Sequence, residues 1–476
     1  MAAPSLSEDD LRAIAGRAST IDERLAGLVV VEEPNSAAER EHAHRLHSEW
    51  RQAAADGDDA LFARRLSRDG LDEKAALRLL GRARLSAGSP LPEWAKTFQR
   101  CLSEGDGRSP PPPHVEGADP EPFEELLWPF VVAARRILAE RAGDRLNRLF
   151  APNAILALER GLLRRLALLC GPGLFGDFSL FRHMERHQRG RFALPFSAPG
   201  STVIYDAFKD AWRDGRRSDF FMAHPVAARL VGVAVSNWVE STAELIDRLA
   251  RDRSALAERF SSDAPSGLVE AVETGLSDPH RGGRTVLILT FAGSLKLVYK
   301  PKDTRVDAAW SSLVDWINDH GAPVALRPVR LLVREDYGWC EFIRAEGVPE
   351  QRHQALYFRR AGGLLAVLHL LRASDFHHEN VIPAGGFPVP VDLESLARPD
   401  LAKTPGGSLA GAAADLAQSL LDDSVLTTLY LPTWAPGPGG RLKAIGGGGA
   451  RRSWPDLDKL SGDQHRRDGH RRRRVP

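Results

Sequence analysis

The sequence predicts an α+β protein in which a long helical region precedes a smaller region of β-strands. Through residues 1–265 the apolar residues recur at three- and four-residue spacing, which favours helices. Runs of β-branched and aromatic residues begin after Gly283 and indicate strands. A strongly apolar helical run then follows at 357–371, before a last pair of short strand-like segments. This change of periodicity along one chain is what predicts the fold class.

Composition and charge exclude several classes of protein. The chain has 476 residues, 43% hydrophobic and 27% charged, which is typical of globular proteins that fold in water. A net charge of +1 argues against bulk nucleic-acid binding. Three cysteines without paired spacing predict neither a disulfide framework nor a structural zinc site. We therefore expect a cytoplasmic protein with no nucleic-acid partner, no secretion signal and no membrane span.

The N-terminal half is predicted to contain two helical regions. The first, 1–104, includes a helical pattern at 71–85. Residues 105–121 contain four consecutive prolines, which cannot continue a helix, so this segment is predicted to be a linker. The second helical region spans 122–265. Its long stretches with a helical pattern are 126–149, 154–169 and 226–249.

The segment 266–435 is predicted to form a catalytic core that begins with β-hairpins. Arg284–Phe291 and Leu295–Lys300 are strand-like and are joined by Ala292-Gly293-Ser294, a sequence suited to a turn. Two more hairpins follow from the same pattern, 329–333 with 339–343 and 381–383 with 389–391. A small strand lobe, a buried helix and a short hairpin in this order are typical of a kinase-like fold.

The end of the chain, 436–476, is rich in Gly and Arg and is predicted to be disordered. The basic run Arg471–Arg474 would suit a nucleic-acid or membrane surface as well. A solvated end is the simpler interpretation and the one we favour.

A motif for phosphoryl transfer follows the apolar helix. Ser374–Asn380 has the sequence Ser-Asp-Phe-His-His-Glu-Asn, and Asp392 lies at the exit of the last hairpin. In kinase-like sites one Asp orients the attacking hydroxyl, while an Asn and a later Asp hold the metal that bridges the phosphates. Asp375 is therefore the candidate catalytic residue, and Asn380 and Asp392 are candidate Mg²⁺ ligands. Alone, Asp375 would be interpreted as a helix terminator.

Four more residues complete the candidate site. Lys300, at the end of a predicted strand, suits the α- and β-phosphates of ATP, although alone it would be interpreted as a surface lysine. Lys302 is a second candidate phosphate contact. Glu394 lies on the same side of an extended segment as Asp392 and is a further candidate for the nucleotide or metal site. His377 is a candidate for catalysis, either on a phosphate or as a support for Asp375.

At these motifs the chain resembles the dehydratase domain of class II lanthipeptide synthetases. The segments that carry the resemblance include Val298–Lys302, Tyr337–Ile343, 375–382 and 388–396, and it extends from about residue 10 to about residue 432. It implies a lipid-kinase-like core, ATP and Mg²⁺ as cofactors, and a leader-bearing precursor peptide as partner. It also implies phosphorylation of Ser and Thr, followed by phosphate elimination to dehydroalanine or dehydrobutyrine.

By motif matching, the resemblance assigns six residues to the phosphorylation site: Lys300, Asp375, His377, Asn380, Asp392 and Glu394. Members of that family also carry a C-terminal zinc-dependent cyclase, which this sequence does not match. We therefore expect a truncated or frame-shifted product with an incomplete C-lobe, in which no residue can be assigned to the elimination step. Whether a separately encoded cyclase takes part stays open.

Two alternatives accompany this interpretation. One is a small-molecule phosphotransferase that shares the kinase-like site. The other is an inactive fragment that binds the peptide.

Overall fold

Helices and strands are both present in the structure, a computed structural model, as the predicted α+β class requires. It describes residues 6–104, 112–113, 119–188, 202–260, 267–348, 350–397, 416–417, 419–432, 434–436, 442–444 and 446–447. Most of the predicted linker at 105–121 and most of the predicted disordered tail at 436–476 lie outside these residues.

The first part of the chain is helical with one small hairpin. Its helices are α1 (Glu8–Arg17), α2 (Ile21–Leu25), α3 (Ala37–Ala55), α4 (Asp59–Arg68), α5 (Glu73–Leu79) and α6 (Glu93–Glu104). Strands β1 (Val29–Glu32) and β2 (Arg82–Leu85) pair antiparallel.

The helix predicted at 71–85 is therefore wrong in its second half. Helix α5 ends at Leu79, and the chain then approaches β1 so closely that a Cβ at Gly81 would lie 2.0 Å from the Glu32 carbonyl oxygen. Long-range strand pairing has overridden a local helical pattern.

Three of these helices begin with a reciprocal capping box. Ser7, Thr20 and Ser36 each accept a hydrogen bond from the backbone of the third helical residue, whose acidic side chain bonds back to the cap. Each such cap stabilises its helix by about 1 kcal/mol.

Long helices build the middle of the chain. They are α7 (Glu124–Ala142), α8 (Arg145–Leu149), α9 (Pro152–Gln188), α10 (Val203–Ala211), α11 (Arg217–Ala223) and α12 (Pro225–Phe260), with a π-helical turn at Trp212–Arg216. Helix α12 packs against α6, α7 and α9. Their shared core is aromatic; the Phe98 and Phe221 rings, for example, meet edge to face at 4.8 Å. Helix α12 therefore packs α6, α7 and α9 around one shared core.

A five-stranded antiparallel sheet follows, in the order β3-β4-β5-β7-β6. Its strands are β3 (Val269–Glu273), β4 (Leu287–Phe291), β5 (Lys296–Lys300), β6 (Leu331–Val333) and β7 (Gly338–Glu341), with α13 (Arg305–Asp319) between β5 and β6. The first two predicted hairpins are confirmed as β4 with β5 and β6 with β7. Strand β3 was not predicted.

Buried polar groups fix one face of this sheet to α12. The Asp252 carboxylate, 1% exposed, accepts hydrogen bonds from the Tyr337 hydroxyl (2.8 Å) and the Trp339 indole (2.9 Å). Arg248 donates to the Tyr299 hydroxyl at 2.7 Å and lies over the Tyr337 ring, 4.3 Å from its centroid. These hydrogen bonds fix the orientation of the sheet relative to α12.

The last part contains the predicted apolar helix and hairpin. Helix α14 (Gln351–Leu370) begins earlier than predicted, and strands β8 (Val381–Ala384) and β9 (Phe387–Pro390) pair around Gly385-Gly386 as predicted. A 3₁₀ turn (Val425–Thr428) and the strand pair β10 (Trp434–Pro436) and β11 (Leu442–Ala444) follow. In the described part of the chain, every helix is too short or too polar to cross a bilayer.

Candidate active site

Lys300 is buried at the junction of the sheet with the elements that follow it. Leu297 and Tyr299 of β5 face the core on α12, so the alternation of a strand turns Lys300 to the opposite face. Lys300 is 8% exposed, and its Nζ donates to Asp307 Oδ1 and to the Val391 carbonyl oxygen, both at 2.7 Å. The Lys300 ammonium is therefore held in one position by two fixed oxygen partners.

Asp307 is the partner that the sequence analysis missed. It lies in the first turn of α13 and is itself 7% exposed. A strand lysine paired with a carboxylate from the next helix is the arrangement that kinases use to hold the phosphate-binding lysine. The available signal was an acidic residue seven positions after Lys300.

A glycine allows α13 to begin this close to the sheet. Gly338 of β7 is the register partner of Lys300, and a Cβ there would lie 2.2 Å from the Thr304 hydroxyl oxygen. Thr304 is fully buried immediately before α13. Because α13 starts against β7, Asp307 reaches the Lys300 ammonium directly.

The backbone of Val391 joins the sheet to the candidate metal ligands. Its carbonyl accepts from Lys300, while its N–H donates to the Asn380 carbonyl oxygen at 3.0 Å. Asp392 follows in sequence. Lys300, Asn380 and Asp392, far apart along the chain, are therefore neighbours in the structure.

Asp375 lies in a tight loop after α14 that the core holds at Phe376. The Phe376 side chain is fully buried, and its N–H donates to the Thr428 carbonyl at 2.9 Å. Asp375 adopts a φ of 65°, a region that Asp tolerates better than most residues. Its side chain is 59% exposed, so the carboxylate is open to a substrate hydroxyl.

His377 and Asn380 surround Asp375. His377 Nε2 lies 3.6 Å from Asp375 Oδ1, and Asn380 Nδ2 donates to the Asp375 carbonyl oxygen at 2.8 Å. Asn380 Nδ2 also lies 3.4 Å from His377 Nε2. These contacts orient the Asn380 amide and leave its Oδ1 without a hydrogen-bond partner in the described part of the chain.

Lys302 lies between the two acidic residues after the hairpin. Its Nζ is 3.2 Å from Asp392 Oδ1 and 2.9 Å from Glu394 Oε2, so both carboxylates lie on one side as predicted. Burial lowers the pKa of Lys302, but its hydrogen bonds and charge interactions with Glu394 and Asp392 outweigh burial and raise the pKa overall. Leu393, between them, is buried and anchors the segment.

The donor set fits a magnesium ion that takes most of its ligands from phosphates and water. Asn380 offers an amide oxygen that has no partner among the described residues, and the Asp392 side chain is 39% exposed. Among the described residues no group of three or more His, Cys, Asp or Glu could hold a metal. Mg²⁺ bound with nucleotides commonly uses only one or two carboxylates of the protein, together with phosphate oxygens.

The structure thus brings all seven predicted site residues to one side of the sheet, in a connected set of contacts. Chemically, the set contains an open carboxylate for a hydroxyl, a buried cation for phosphate, and oxygen ligands for a divalent ion. The roles themselves stay predictions. The structure adds one fact to the prediction for Lys302. Its ammonium forms ion pairs with Asp392 and Glu394, whereas the prediction gave it to a phosphate.

Comparison with protein families supports an assignment for this part of the chain. A family model described as "Domain of unknown function (DUF4135)", a domain associated with class II lanthipeptide synthetases, matches residues 224–466, just over half of the chain. The match begins at α12 and includes every candidate site residue.

A curated relative points the same way. The lacticin 481/lactococcin biosynthesis protein LcnDR2 of Lactococcus lactis subsp. lactis is 26% identical over 171 residues. The aligned region covers 34% of this chain and 18% of that protein, so this chain matches less than a fifth of the relative's length.

Proposed function

This chain belongs to the class II lanthipeptide synthetase family, and from that premise we propose that it phosphorylates Ser and Thr of a precursor peptide with ATP. The reaction forms a bond between the side-chain oxygen and the γ-phosphorus and breaks the bond to the β–γ bridging oxygen, which leaves ADP. The hydroxyl proton leaves as the new bond forms. Asp375 accepts or orients that proton, because its carboxylate is exposed and has His377 beside it.

The single observation that carries this proposal is that Lys300 and Asn380 both hydrogen-bond to the backbone of Val391, the residue before Asp392. Lys300, oriented by Asp307, provides a fixed positive charge for the nucleotide phosphates. When bound, Mg²⁺ would be held by Asn380 and Asp392 and would neutralise charge between the phosphates. Glu394, through Lys302, helps to fix the acidic segment.

The second half-reaction, elimination, belongs to the same proposal. Hydroxide is a poor leaving group and phosphate is a good one, so phosphorylation prepares loss of the Cα proton together with the phosphate. The products are dehydroalanine from Ser and dehydrobutyrine from Thr, with inorganic phosphate released. We assign no residue to this step.

Intact-mass spectrometry of peptide products tests both halves. The purified chain is incubated with MgATP and with Ser- and Thr-rich peptides encoded beside its gene. A mass gain of one phosphate supports kinase activity, and a net loss of one water supports the complete dehydration. The same reaction with Lys300→Met should give neither product.

Failure of the wild-type chain to change the mass of any such peptide would contradict the proposal. Consumption of ATP stimulated by small metabolites and by no peptide would replace it with a small-molecule phosphotransferase.

A further inference from the structure

The two lysines of the candidate site are held in different ways. The Lys300 ammonium is buried and donates to Asp307 and to the Val391 carbonyl, both at 2.7 Å. Lys302 Nζ lies 3.2 Å from Asp392 Oδ1 and 2.9 Å from Glu394 Oε2, and the Lys302 side chain is 32% exposed. Ion pairs at a surface contribute little stability and exchange partners at small cost. Lys300 is therefore fixed, whereas the Lys302 ammonium is free to change its partner.

The backbone around this ion pair is fixed on both sides. Lys300, two residues before Lys302, is 8% exposed, and Thr304, two residues after it, is fully buried. Leu393, between the two acidic residues, is buried as well. Neither segment moves without uncovering these buried groups, so the Lys302 ammonium moves by rotation of its own four-carbon side chain.

Lys302 competes with a divalent ion for one carboxylate. Asp392 is a candidate Mg²⁺ ligand, and its Oδ1 accepts a hydrogen bond from Lys302. A divalent ion that coordinates this oxygen lies within about 5 Å of the ammonium, because Mg–O bonds are about 2.1 Å long. Like charges at that separation repel each other even near a protein surface. A metal ion therefore binds Asp392 weakly for as long as Lys302 keeps its position.

A nucleotide removes this conflict. The linked ion pairs contain two positive and three negative side chains, Lys300 and Lys302 with Asp307, Asp392 and Glu394, so a divalent ion added alone leaves a positive excess. A triphosphate brings several negative charges to the same place. Phosphate oxygens accept from an ammonium as carboxylates do, so Lys302 gains a new partner as the metal takes Asp392.

We propose that Lys302 makes metal binding at Asp392 conditional on the nucleotide. Its ammonium competes with the metal for Asp392 and passes to a phosphate oxygen when the nucleotide binds. The inference rests on the proposed function for the identity of the nucleotide. Such a coupling is reciprocal, since the nucleotide strengthens metal binding by the same factor as the metal strengthens nucleotide binding. Removal of the Lys302 charge should therefore reduce the coupling.

Titration with Mn²⁺, followed by electron paramagnetic resonance, tests this coupling without turnover. Mn²⁺ suits the same oxygen ligands as Mg²⁺. Without nucleotide, Lys302→Met should bind Mn²⁺ about tenfold more tightly than the wild type, since it keeps the length of the side chain and removes the competing charge. A non-hydrolysable ATP analogue should then tighten Mn²⁺ binding about tenfold less in the variant than in the wild type.

Three further variants locate the effect. Lys296→Met removes an ammonium at the start of β5, where it pairs with Glu273, and should leave the Mn²⁺ affinity unchanged. Asp392→Asn, combined with Lys302→Met, should abolish the tighter binding and so place the ion at this carboxylate. Lys302→Gln removes the charge but keeps a polar side chain, and should reproduce the tightening even where the methionine variant is poorly folded.

Equal or weaker Mn²⁺ binding in both Lys302 variants would overturn the proposal, as would a tightening that Lys296→Met shares or that survives Asp392→Asn. Peptide phosphorylation is measured separately. A chain with the expected Mn²⁺ coupling that modifies no peptide contradicts the proposed function alone. A chain that phosphorylates peptides and binds Mn²⁺ with one affinity in wild type and Lys302 variants contradicts the role of Lys302 alone.

Discussion

The two faces of the five-stranded sheet use charged residues in opposite ways. On the face toward α12, Asp252 is 1% exposed and its carboxylate is hydrogen-bonded to Tyr337, Trp339 and Arg334. On the other face, the carboxylates of Asp375 and Glu394 are 59% and 61% exposed. Lys300 is buried on that face, where it links β5 to Asp307 of α13 and to the Val391 carbonyl after β9.

Charges on the α12 face stabilise the fold, whereas those on the other face are available to a ligand. Buried polar groups cost free energy unless they are fully paired, so the α12 face is completed within the protein. Carboxylates that stay in water retain oxygen atoms for a hydroxyl or a metal. Substitutions on the two faces should therefore separate activity from stability.

The largest effect is expected from Asp375→Asn on the exposed face. Loss of the carboxylate should reduce peptide phosphorylation about 10²–10⁴-fold, because the attacking hydroxyl loses its proton acceptor. The thermal unfolding midpoint should not change, since the side chain is mostly exposed. Glu379→Gln, a neighbouring and 68% exposed carboxylate, is the matched control and should retain activity. Equal loss in both variants would remove Asp375 from the mechanism.

Asp252→Leu should have the next largest effect, on stability. It leaves the Tyr337, Trp339 and Arg334 donors without their acceptor, which should lower the free energy of unfolding by roughly 3–5 kcal/mol. Asp247→Leu, on the same helix, removes only a half-exposed ion pair with Arg145 and should cost less than about 1 kcal/mol. Urea unfolding monitored by tryptophan fluorescence compares the two variants. Equal midpoints would show that the α12 face is not held by this network.

Asp307→Asn should give an intermediate loss of activity, since it acts through Lys300. Without the ion pair the ammonium keeps only the Val391 carbonyl as a fixed partner, so kcat should fall about 10–100-fold. Asp307→Glu should restore part of that loss, which a merely structural role would not predict. Asp319→Asn, at the far end of α13, serves as the control. Unchanged kcat in Asp307→Asn would separate Lys300 from its partner.

The smallest effect is a pH dependence at Glu159, a buried carboxylate of α9. Burial raises its pKa, and the nearby Arg135 lowers it by less. The unfolded chain ionises Glu159 near 4.5, so the folded state holds the proton to higher pH, and this contribution to stability falls as the pH rises through the folded pKa. Glu159→Gln should therefore raise the unfolding free energy by about 1 kcal/mol near pH 8 and change little near pH 4. Guanidinium unfolding at the two pH values measures this, and Glu258→Gln, on an exposed site, should show no such difference.

Much of the second half of the chain was predictable from local pattern. The hairpins β4–β5, β6–β7 and β8–β9 follow strand-type residues and Gly-containing turns, and the candidate site residues follow motif spacing. The role of Asp307 was not predictable, because an acidic residue at a helix start has an ordinary interpretation as a dipole partner. Strand β2 was missed because its pairing partner β1 lies far away in sequence. Strand β3, which pairs with the next strand along the chain, was also missed.

The α+β class, and the grouping of Asp375, Asn380 and Asp392 as one candidate set, could be predicted from the sequence alone, because strand and helix periodicity and motif spacing are local properties. Tertiary packing alone places Val391 between Lys300 and Asn380 and makes Asp252 a buried structural carboxylate. The physical reason is that burial and charge pairing depend on which distant segments pack together, and packing is settled by the whole chain at once.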